Sequence, residues 1–96
     1  MNYGITHYFP GGTKENYEAV MTAMNQAHGV VLPKGQIFHA AGPAAGGWMI
    51  VAIHDAKESW DRFLADIFFP AVKKGIPGGF TSQPTETTFN VESLHK

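Results

Sequence analysis

The chain has 96 residues and a mass of 10.5 kDa, which suits one domain over residues 1–96 and excludes a second folded unit. Hydrophobic residues make up 44% of the sequence and charged residues only 16%, against about 25% charged in a typical domain, so we expect less solvated surface than usual. The formal net charge is −1 and the longest basic run is Lys73-Lys74, which argues against nucleic acid as a partner. The absence of cysteine excludes disulfides and thiol chemistry.

The N-terminal residues 1–12 show neither the basic stretch nor the apolar run of a secretion signal. No later window has the roughly 18 apolar residues of a membrane span. We therefore expect a cytoplasmic protein with no membrane partner. A chain this short buries only about two-thirds of its unfolded surface, so self-association is a reasonable further source of stability.

The chain begins with a predicted strand and a predicted helix. Residues 2–9 are rich in aromatic and β-branched side chains and stop at the turn signal Pro10-Gly11-Gly12. Thr13 is suited to cap a helix that ends at His28-Gly29. Apolar side chains recur along this helix at helical spacing: Tyr17, Val20, Met21 and Met24.

A hairpin and a second helix follow. Residues 36–42 and 47–54 predict two antiparallel strands joined by a loop over residues 43–46. Asp55 and Glu58 have the spacing of a capping box at the start of the second helix. Its apolar stripe consists of Trp60, Phe63, Leu64, Ile67 and Ala71.

The last part of the chain completes the pattern of elements. Pro70 lacks the amide hydrogen of an interior helical residue, which predicts a kink or a restart, and Lys73-Lys74-Gly75 predict the helix end. After an ordered loop over residues 75–84, residues 85–91 predict a fourth strand. The order β-α-β-β-α-β is the split, ferredoxin-like pattern of an α+β fold, with both helices on one face of a four-stranded antiparallel sheet.

The third predicted strand is apolar on both of its sides. One side carries Trp48, Ile50, Ala52 and His54, and the other carries Met49, Val51 and Ile53. If the helices cover one side, the other needs a cover as well, and the same face of a second copy is the simplest one. We therefore expect a homodimer.

The stretch from Gly46 to Pro70 resembles a known group of proteins. It contains Gly46-Gly47-Trp48, Ile50-Val51-Ala52-Ile53-His54-Asp55, Glu58-Ser59-Trp60-Asp61-Arg62-Phe63 and Phe69-Pro70. These segments resemble small members of the dimeric α+β barrel superfamily, which includes antibiotic-biosynthesis monooxygenases and stress-response barrel proteins, although His54 stands where a tryptophan is common. The resemblance implies two sheets packed face to face into a barrel with a pocket in each subunit. Several members oxidise or cyclise aromatic polyketides without metal or flavin, whereas others have no assigned activity.

Three histidines lie on the predicted strands. Pairing the hairpin with residues 42 and 47 opposite each other places His39 near Ile50, on the same face as Trp48 and His54. The first strand lies beside the third in this topology. His7 joins the group if its side of the strand faces the same way, whereas the opposite orientation presents Thr6 and Tyr8 instead.

A histidine in an apolar cavity can act as a general base or acid because its ordinary pKa, about 6.5, lies near neutrality. We therefore predict His39, His54 and His7 as candidate catalytic residues, each with the structural alternative of a hydrogen-bonded residue within the sheet. The candidate substrate contacts are Trp48, Ile50, Phe68 and Tyr8, and Tyr17 and Asn90 are further possible hydrogen-bond donors. No His-x-His or Glu-x-x-His motif is present, so we expect neither a metal nor another cofactor.

These observations predict a homodimeric small-molecule enzyme of the cofactor-independent monooxygenase or cyclase type. Its expected substrate is apolar and aromatic, held in a pocket that contains histidine. The alternative is a non-catalytic dimeric barrel, either a stress-response or interaction protein or one that binds a hydrophobic metabolite. A cavity beside His39 and His54 would argue against the first of these alternatives, and turnover would argue against the second.

Overall fold

A computed structural model of the chain describes residues 1–25 and 32–95. In chain order the elements are β1 (Tyr3–Pro10), α1 (Lys14–Asn25), β2 (Gln36–Ala44), β3 (Gly47–His54), α2 (Lys57–Phe63), a π-helical segment (Leu64–Phe68), α3 (Phe69–Lys74) and β4 (Thr85–Asn90). The predicted order of strands and helices is confirmed. None of the helices within these residues is long and apolar enough to cross a membrane.

The four strands form one antiparallel sheet in the order β2-β3-β1-β4. This order is that of the ferredoxin-like fold, so the predicted fold class is confirmed. Both helical layers lie against the same side of the sheet, because the Tyr17 ring of α1 is 6.0 Å from the ring of His39 in β2 and the Trp60 ring of α2 is 5.4 Å from that of His54 in β3. We call this side the helix-covered face and the other side the open face.

The hairpin between β2 and β3 differs from its prediction. Residues 42 and 47 were expected to pair across a loop over residues 43–46, whereas Ala44 lies opposite Gly47 and the turn consists of Ala45 and Gly46 alone. Gly46 has a φ of 77°, a left-handed conformation that a tight two-residue turn needs and that glycine adopts without strain. His39 therefore lies opposite Ala52 rather than near Ile50. The shift is two residues, so His39 and the residues of β2 that follow it keep their predicted face.

The N-terminus of α1 has the predicted cap. The backbone N–H of Asn16 donates to Thr13 Oγ1 over 3.1 Å, and the backbone N–H of Thr13 donates to Asn16 Oδ1 over 3.1 Å. This reciprocal pair satisfies two amide groups that the first turn of a helix leaves without partners. The predicted helix end at His28-Gly29 lies outside the described residues.

The second helical stretch begins one residue later than predicted and changes its winding before Pro70. The N-cap of α2 is Ala56 and no side chain caps it, so the expected capping box of Asp55 and Glu58 was wrong. In the π-helical segment the backbone N–H of Phe69 donates to the Leu64 carbonyl, five residues back. The expected change near Pro70 is thus confirmed as a wider turn followed by α3, which ends at Gly75 with a φ of 91°.

The open face of the sheet is apolar at its centre. Side chains alternate along β3, and Met49, Val51 and Ile53 project from the open face while their neighbours project toward the helices. Phe89 of β4 lies over Gly4 on this face, where a Cβ atom would collide with the phenylalanine ring, and Phe89 remains 45% exposed. The prediction that β3 is apolar on both sides is therefore confirmed.

Candidate functional site

The helix-covered face brings together the three histidines that the sequence predicted as catalytic candidates. His39, His54 and His7 come from β2, β3 and β1, and the register places His54 opposite Tyr3 and Ile50 opposite His7. The orientation of β1 that sequence alone left open is the one that adds His7 to this face. These three adjacent strands bring a set of imidazoles under the helices.

Tyr8 does not join this group. It follows His7 by one residue and lies opposite Met49, so its side chain projects from the open face, and its hydroxyl donates to the Ala45 carbonyl over 2.6 Å at the hairpin turn. The structure separates Tyr8 from the histidines by the thickness of the sheet, and its hydroxyl fastens β1 to the turn.

Two of the histidines are members of one continuous hydrogen-bonded series of side chains. Tyr17 Oη lies 2.6 Å from His39 Nε2, and His39 Nδ1 lies 3.0 Å from Gln36 Oε1. Gln36 Nε2 lies 3.2 Å from His54 Nε2, and His54 Nδ1 lies 2.9 Å from Ser59 Oγ. We call these five residues the polar chain. It runs from α1 through β2 and β3 to α2.

Burial governs the protonation of the polar chain. Burial lowers the pKa of His39. It is also the largest influence on His54, whose pKa it lowers; the charge of Arg62 lowers that pKa further, and the charge of Asp55 raises it. Burial also raises the pKa of the Tyr17 hydroxyl. At neutral pH both imidazoles are therefore neutral and Tyr17 keeps its proton.

His54 is the most enclosed of the histidines. Its exposed fraction is 0%, Ser59 beside it is 2% exposed, and both ring nitrogens of His54 have hydrogen-bond partners. The Trp60 ring meets the imidazole edge to face at 5.4 Å. A group with no free nitrogen and no open surface is suited to hold its neighbours in place rather than to exchange a proton with a ligand.

His7 lies on the same face but outside the polar chain. Its Nε2 is 2.8 Å from Glu86 Oε2 in β4, and its ring is 5.9 Å from that of Trp60. Glu86 is half exposed, so this contact reaches the edge of the covered region. The structure thus joins His7 to a carboxylate and not to His39 or His54.

Trp48 has a buried hydrogen-bond donor without an acceptor. Its side chain is on the helix-covered face, 7% exposed, with its ring 5.3 Å from that of Tyr17. Among the buried side-chain nitrogen and oxygen atoms of residues 1–24 and 32–95, Trp48 Nε1 is the one that has no partner. An unpaired buried donor costs about 1–3 kcal/mol, so a ligand acceptor that reached it would recover that free energy.

The other predicted substrate contacts lie at different depths on the same side. Ile50 is half-buried in β3, opposite His7 in β1 and Ala41 in β2. Phe68 belongs to the π-helical segment, half-buried, with its ring 6.4 Å from that of Phe63. Phe63 in turn lies 6.1 Å from His54, so Phe68 reaches the histidines through one intervening ring.

Sequence reasoning did not assign Gln36 or Ser59 to the site. Strict alternation along β2 puts Gln36 and His39 on opposite faces, but the strand has an irregularity between Gln36 and Phe38 that brings both onto the helix-covered face. The pattern of residues in β2 does not predict this bulge. Ser59 follows His54 by five residues across a short turn into α2, and that spacing alone does not predict their contact.

A separate cavity lies away from the histidines. It has a volume of about 500 Å³ and is lined by Ala23 of α1 and by residues of α3, namely Pro70, Ala71, Lys73 and Lys74. The lining thus comes from α1 and α3, and it includes no member of the polar chain. No set of three potential metal-ligating side chains comes together within the described ranges.

The fold is similar to that of several solved structures, although no protein-family model and no curated protein matches the sequence. The whole chain matches 98% of a structure assigned as an antibiotic biosynthesis monooxygenase from Chloroflexus aurantiacus, with a TM-score of 0.69 and 13% identity. It matches all of Rv0793 from Mycobacterium tuberculosis, with a TM-score of 0.70 and 8% identity. In a third comparison, 97% of the chain matches 94% of SnoaB, a cofactor-independent oxygenase from Streptomyces nogalater, with a TM-score of 0.62 and 16% identity. The chain therefore has the ferredoxin-like fold of antibiotic-biosynthesis-monooxygenase-like proteins, as the resemblance in its sequence predicted.

Proposed function

We propose that the protein is a cofactor-independent monooxygenase or cyclase that takes a proton from an apolar, aromatic substrate. The observation that carries the proposal is the 2.6 Å hydrogen bond between Tyr17 and His39, next to the unpaired indole N–H of Trp48. A half-buried acid–base pair beside an unused hydrogen-bond donor suits a substrate that becomes an anion. The similarity in fold to SnoaB supports the reaction class.

The base in this proposal is the pair of Tyr17 and His39 acting together. As the substrate gives its proton to the Tyr17 oxygen, Tyr17 passes its own hydroxyl proton to His39 Nε2. The starting state has a neutral imidazole and a protonated phenol, which is the state that burial favours through the pKa of each group. The indole N–H of Trp48 then donates to the oxyanion of the substrate.

The oxygenation balances without a bound cofactor when dioxygen is the oxidant. A substrate with an acidic methylene group between aromatic rings loses a proton, and the carbanion transfers one electron to dioxygen. The carbon radical and superoxide combine, the proton returns, and a hydroperoxide forms. Loss of water leaves a ketone, so that one methylene group and one dioxygen molecule become one carbonyl group and one water molecule. In the cyclase version the carbanion attacks a carbonyl carbon of the same substrate, and the resulting oxyanion takes a proton from Tyr17 while His39 returns its proton to Tyr17.

The roles of the other candidate residues follow from their positions. His54 is not assigned as the base, because it is fully buried and both of its ring nitrogens are engaged. Ile50 and Phe68 remain proposed substrate contacts on the helix-covered side, whereas Tyr8 projects from the open face and is not one of them. His7 is held by Glu86 and has a lesser role at the edge of the site.

The proposed functional unit is a homodimer in which the open faces of two sheets pack together. Met49, Val51 and the 45%-exposed Phe89 are apolar side chains on that face, and the low charge of the sequence agrees with their burial against a second copy. The partner supplies a cover for the sheet, and the polar chain lies on the other side within each subunit.

A second candidate function is a non-catalytic dimeric barrel. The observation that favours it is the position of the 500 Å³ cavity, which lies between α1 and α3 and not beside His39. A stress-response or interaction protein needs no cavity at the histidines. A protein that stores a hydrophobic metabolite needs a cavity but no proton transfer.

Oxygen uptake with a simple carbon acid separates these candidates. Anthrone, a tricyclic ketone with an acidic methylene group between two rings, is incubated with the protein in air, with a protein-free sample to correct for spontaneous oxidation. The proposal expects oxygen consumption and formation of the quinone, unchanged in Tyr8→Phe and lost in His39→Gln. Quenching of tryptophan fluorescence by anthrone without oxygen uptake would indicate a binding protein. The absence of both quenching and oxygen uptake would favour a stress-response or interaction protein.

A further inference from the structure

The hydrogen bonds of the polar chain have a direction that can be read from its Ser59 end. The Ser59 hydroxyl has one proton, and Ser59 Oγ lies 3.1 Å from the Ala56 carbonyl, an acceptor that can receive it. Toward His54, Ser59 Oγ is then an acceptor, so His54 Nδ1 carries the proton of that ring. His54 Nε2 is left with its lone pair.

The bonds of Gln36 determine in the same way which nitrogen of His39 carries a proton. The lone pair of His54 Nε2 accepts from the amide Nε2–H of Gln36, which turns the amide oxygen toward His39. Gln36 Oε1 can only accept, so His39 Nδ1 carries the proton. His39 Nε2 is therefore the lone pair that receives the Tyr17 hydroxyl.

If every hydrogen bond of the polar chain were reversed, fewer donors would have acceptors within the described residues. If Ser59 donated to His54, the bond from its hydroxyl to the Ala56 carbonyl would be lost. Each later member would then reverse, and the Tyr17 oxygen would receive a proton from His39 and have to direct its own proton elsewhere. In the forward direction each of the four bonds joins a donor to an acceptor and the bond from Ser59 to Ala56 is kept, so this is the favoured arrangement of the free protein.

We propose that Gln36 and His54 are positioning residues that hold His39 as its Nδ1–H tautomer, with the Nε2 lone pair facing Tyr17. The catalytic significance of this assignment rests on the proposed function, whereas the tautomer itself does not. The relationship is that of a base oriented by a third group, with an amide in the place where many triads have a carboxylate.

The amide oxygen keeps its hydrogen bond to His39 while the charge of the imidazole changes. When His39 accepts a proton at Nε2, its Nδ1–H still donates to Gln36 Oε1, so the arrangement needs no rotation during the transfer. A side-chain amide does not take up a proton at neutral pH, so the charge stays on His39 and is not passed to His54. His39 can then return the proton to Tyr17.

Nitrogen-15 NMR of the imidazole rings tests the assignment without any substrate. In the wild-type protein above the histidine pKa values, we expect Nδ1 protonated and Nε2 unprotonated in both His39 and His54. Gln36→Met removes the amide at similar length, and the Nδ1–H to Nε2–H ratio of His39 should fall at least about fivefold, the factor for one net hydrogen bond. His54 should keep its Nδ1–H, because Ser59 is still present. His7, held by Glu86, serves as a control within the same spectrum.

Gln36→Glu should leave the tautomer of His39 unchanged and alter that of His54. It also keeps the test possible if the Gln36→Met variant does not fold. A carboxylate still accepts from His39 Nδ1–H, so His39 should keep its tautomer. It has no hydrogen to give to His54, so His54 must place a proton on Nε2. A wild-type His39 protonated at Nε2, or a His39 tautomer that Gln36→Met leaves unchanged, would overturn the proposal.

Steady-state kinetics with anthrone test the positioning role of Gln36 separately. If the protein turns it over, Gln36→Met should lower kcat on the order of 10²-fold while KM changes little, and Gln36→Glu should recover part of the loss. A kcat that Gln36→Met does not alter would overturn the positioning role. If the tautomers are as expected but no turnover occurs, the proposed function fails while the assignment of His39 stands.

Discussion

Gln36 and His39 lie three residues apart in β2, yet both side chains project from the helix-covered face and meet at 3.0 Å. The irregularity between Gln36 and Phe38 makes this possible, because an even strand would send the two side chains to opposite faces. One local departure from regular pairing thus connects the half-buried His39 with the buried His54.

Removing the Tyr17 hydroxyl tests the acid–base pair directly. Tyr17→Phe keeps the ring against Trp48 and deletes only the oxygen bonded to His39. We expect turnover of anthrone to fall on the order of 10²-fold, as for the loss of a general acid–base group. Tyr8→Phe is the matched control, since its hydroxyl bonds to Ala45 on the other face. Equal activity in the two variants would exclude Tyr17 from the chemistry.

His54 is expected to contribute mainly to stability. His54→Ala removes a fully buried ring and takes one hydrogen-bond partner from each of Gln36 and Ser59. The free energy of unfolding should fall by about 2–4 kcal/mol, from the cavity and the unpaired polar groups together. The exposed His95 is the control, and His95→Ala should change stability by less than about 0.5 kcal/mol. Urea unfolding followed by fluorescence measures both, and similar values would contradict the structural role.

Stability should decrease as the pH falls below 6.5. Burial lowers the pKa of His39 and of His54 in the folded protein, whereas both titrate near 6.5 once unfolded. Below pH 6.5 the unfolded chain therefore binds protons that the folded chain does not, and the free energy of unfolding falls until the folded pKa values are passed. Above 6.5 these two groups add no pH dependence. Unfolding curves from about pH 8 to about pH 5 measure the slope, which should be smaller in His39→Gln. A flat profile in the wild type would contradict the prediction.

A charge on the open face should disrupt the proposed dimer. Val51 projects from the centre of that face in β3, so Val51→Lys would bury an unpaired ammonium group between two sheets. Val72→Lys is the matched control, because Val72 is 48% exposed on α3. Sedimentation at micromolar concentration should show a dimer for the wild type and the control and a monomer for Val51→Lys. A monomeric wild type would refute the dimer itself.

The sequence predicted the topology well because the topology depends on features that repeat along the chain. Alternation in β3, the apolar stripe of α1 and the Thr13 cap each involve several residues that agree with one another. The face shared by His39 and His54 was predicted even with the hairpin register in error, because a shift of two residues preserves the face.

The details of the site were harder to predict because they depend on single irregularities. The tight turn at Gly46 set the register, and the bulge after Gln36 brought an unexpected amide to the histidines. Neither event leaves a periodic signal. The role of His54 also required knowing that Ser59 would come within 2.9 Å, which follows from how α2 packs and not from the spacing of the two residues.

The π-helical segment Leu64–Phe68 also determines how α3 is oriented. A π turn accommodates one residue more than an α turn, so it rotates everything after it by about 100° around the helix axis relative to an unbroken α-helix. Phe69 and Val72 face solvent because of that rotation, and Ala71 faces α1. Deletion of one residue between 64 and 68 would restore even winding and present a different side of α3 to α1. The number of residues in this segment is therefore as much a determinant of the helical layer as their identity.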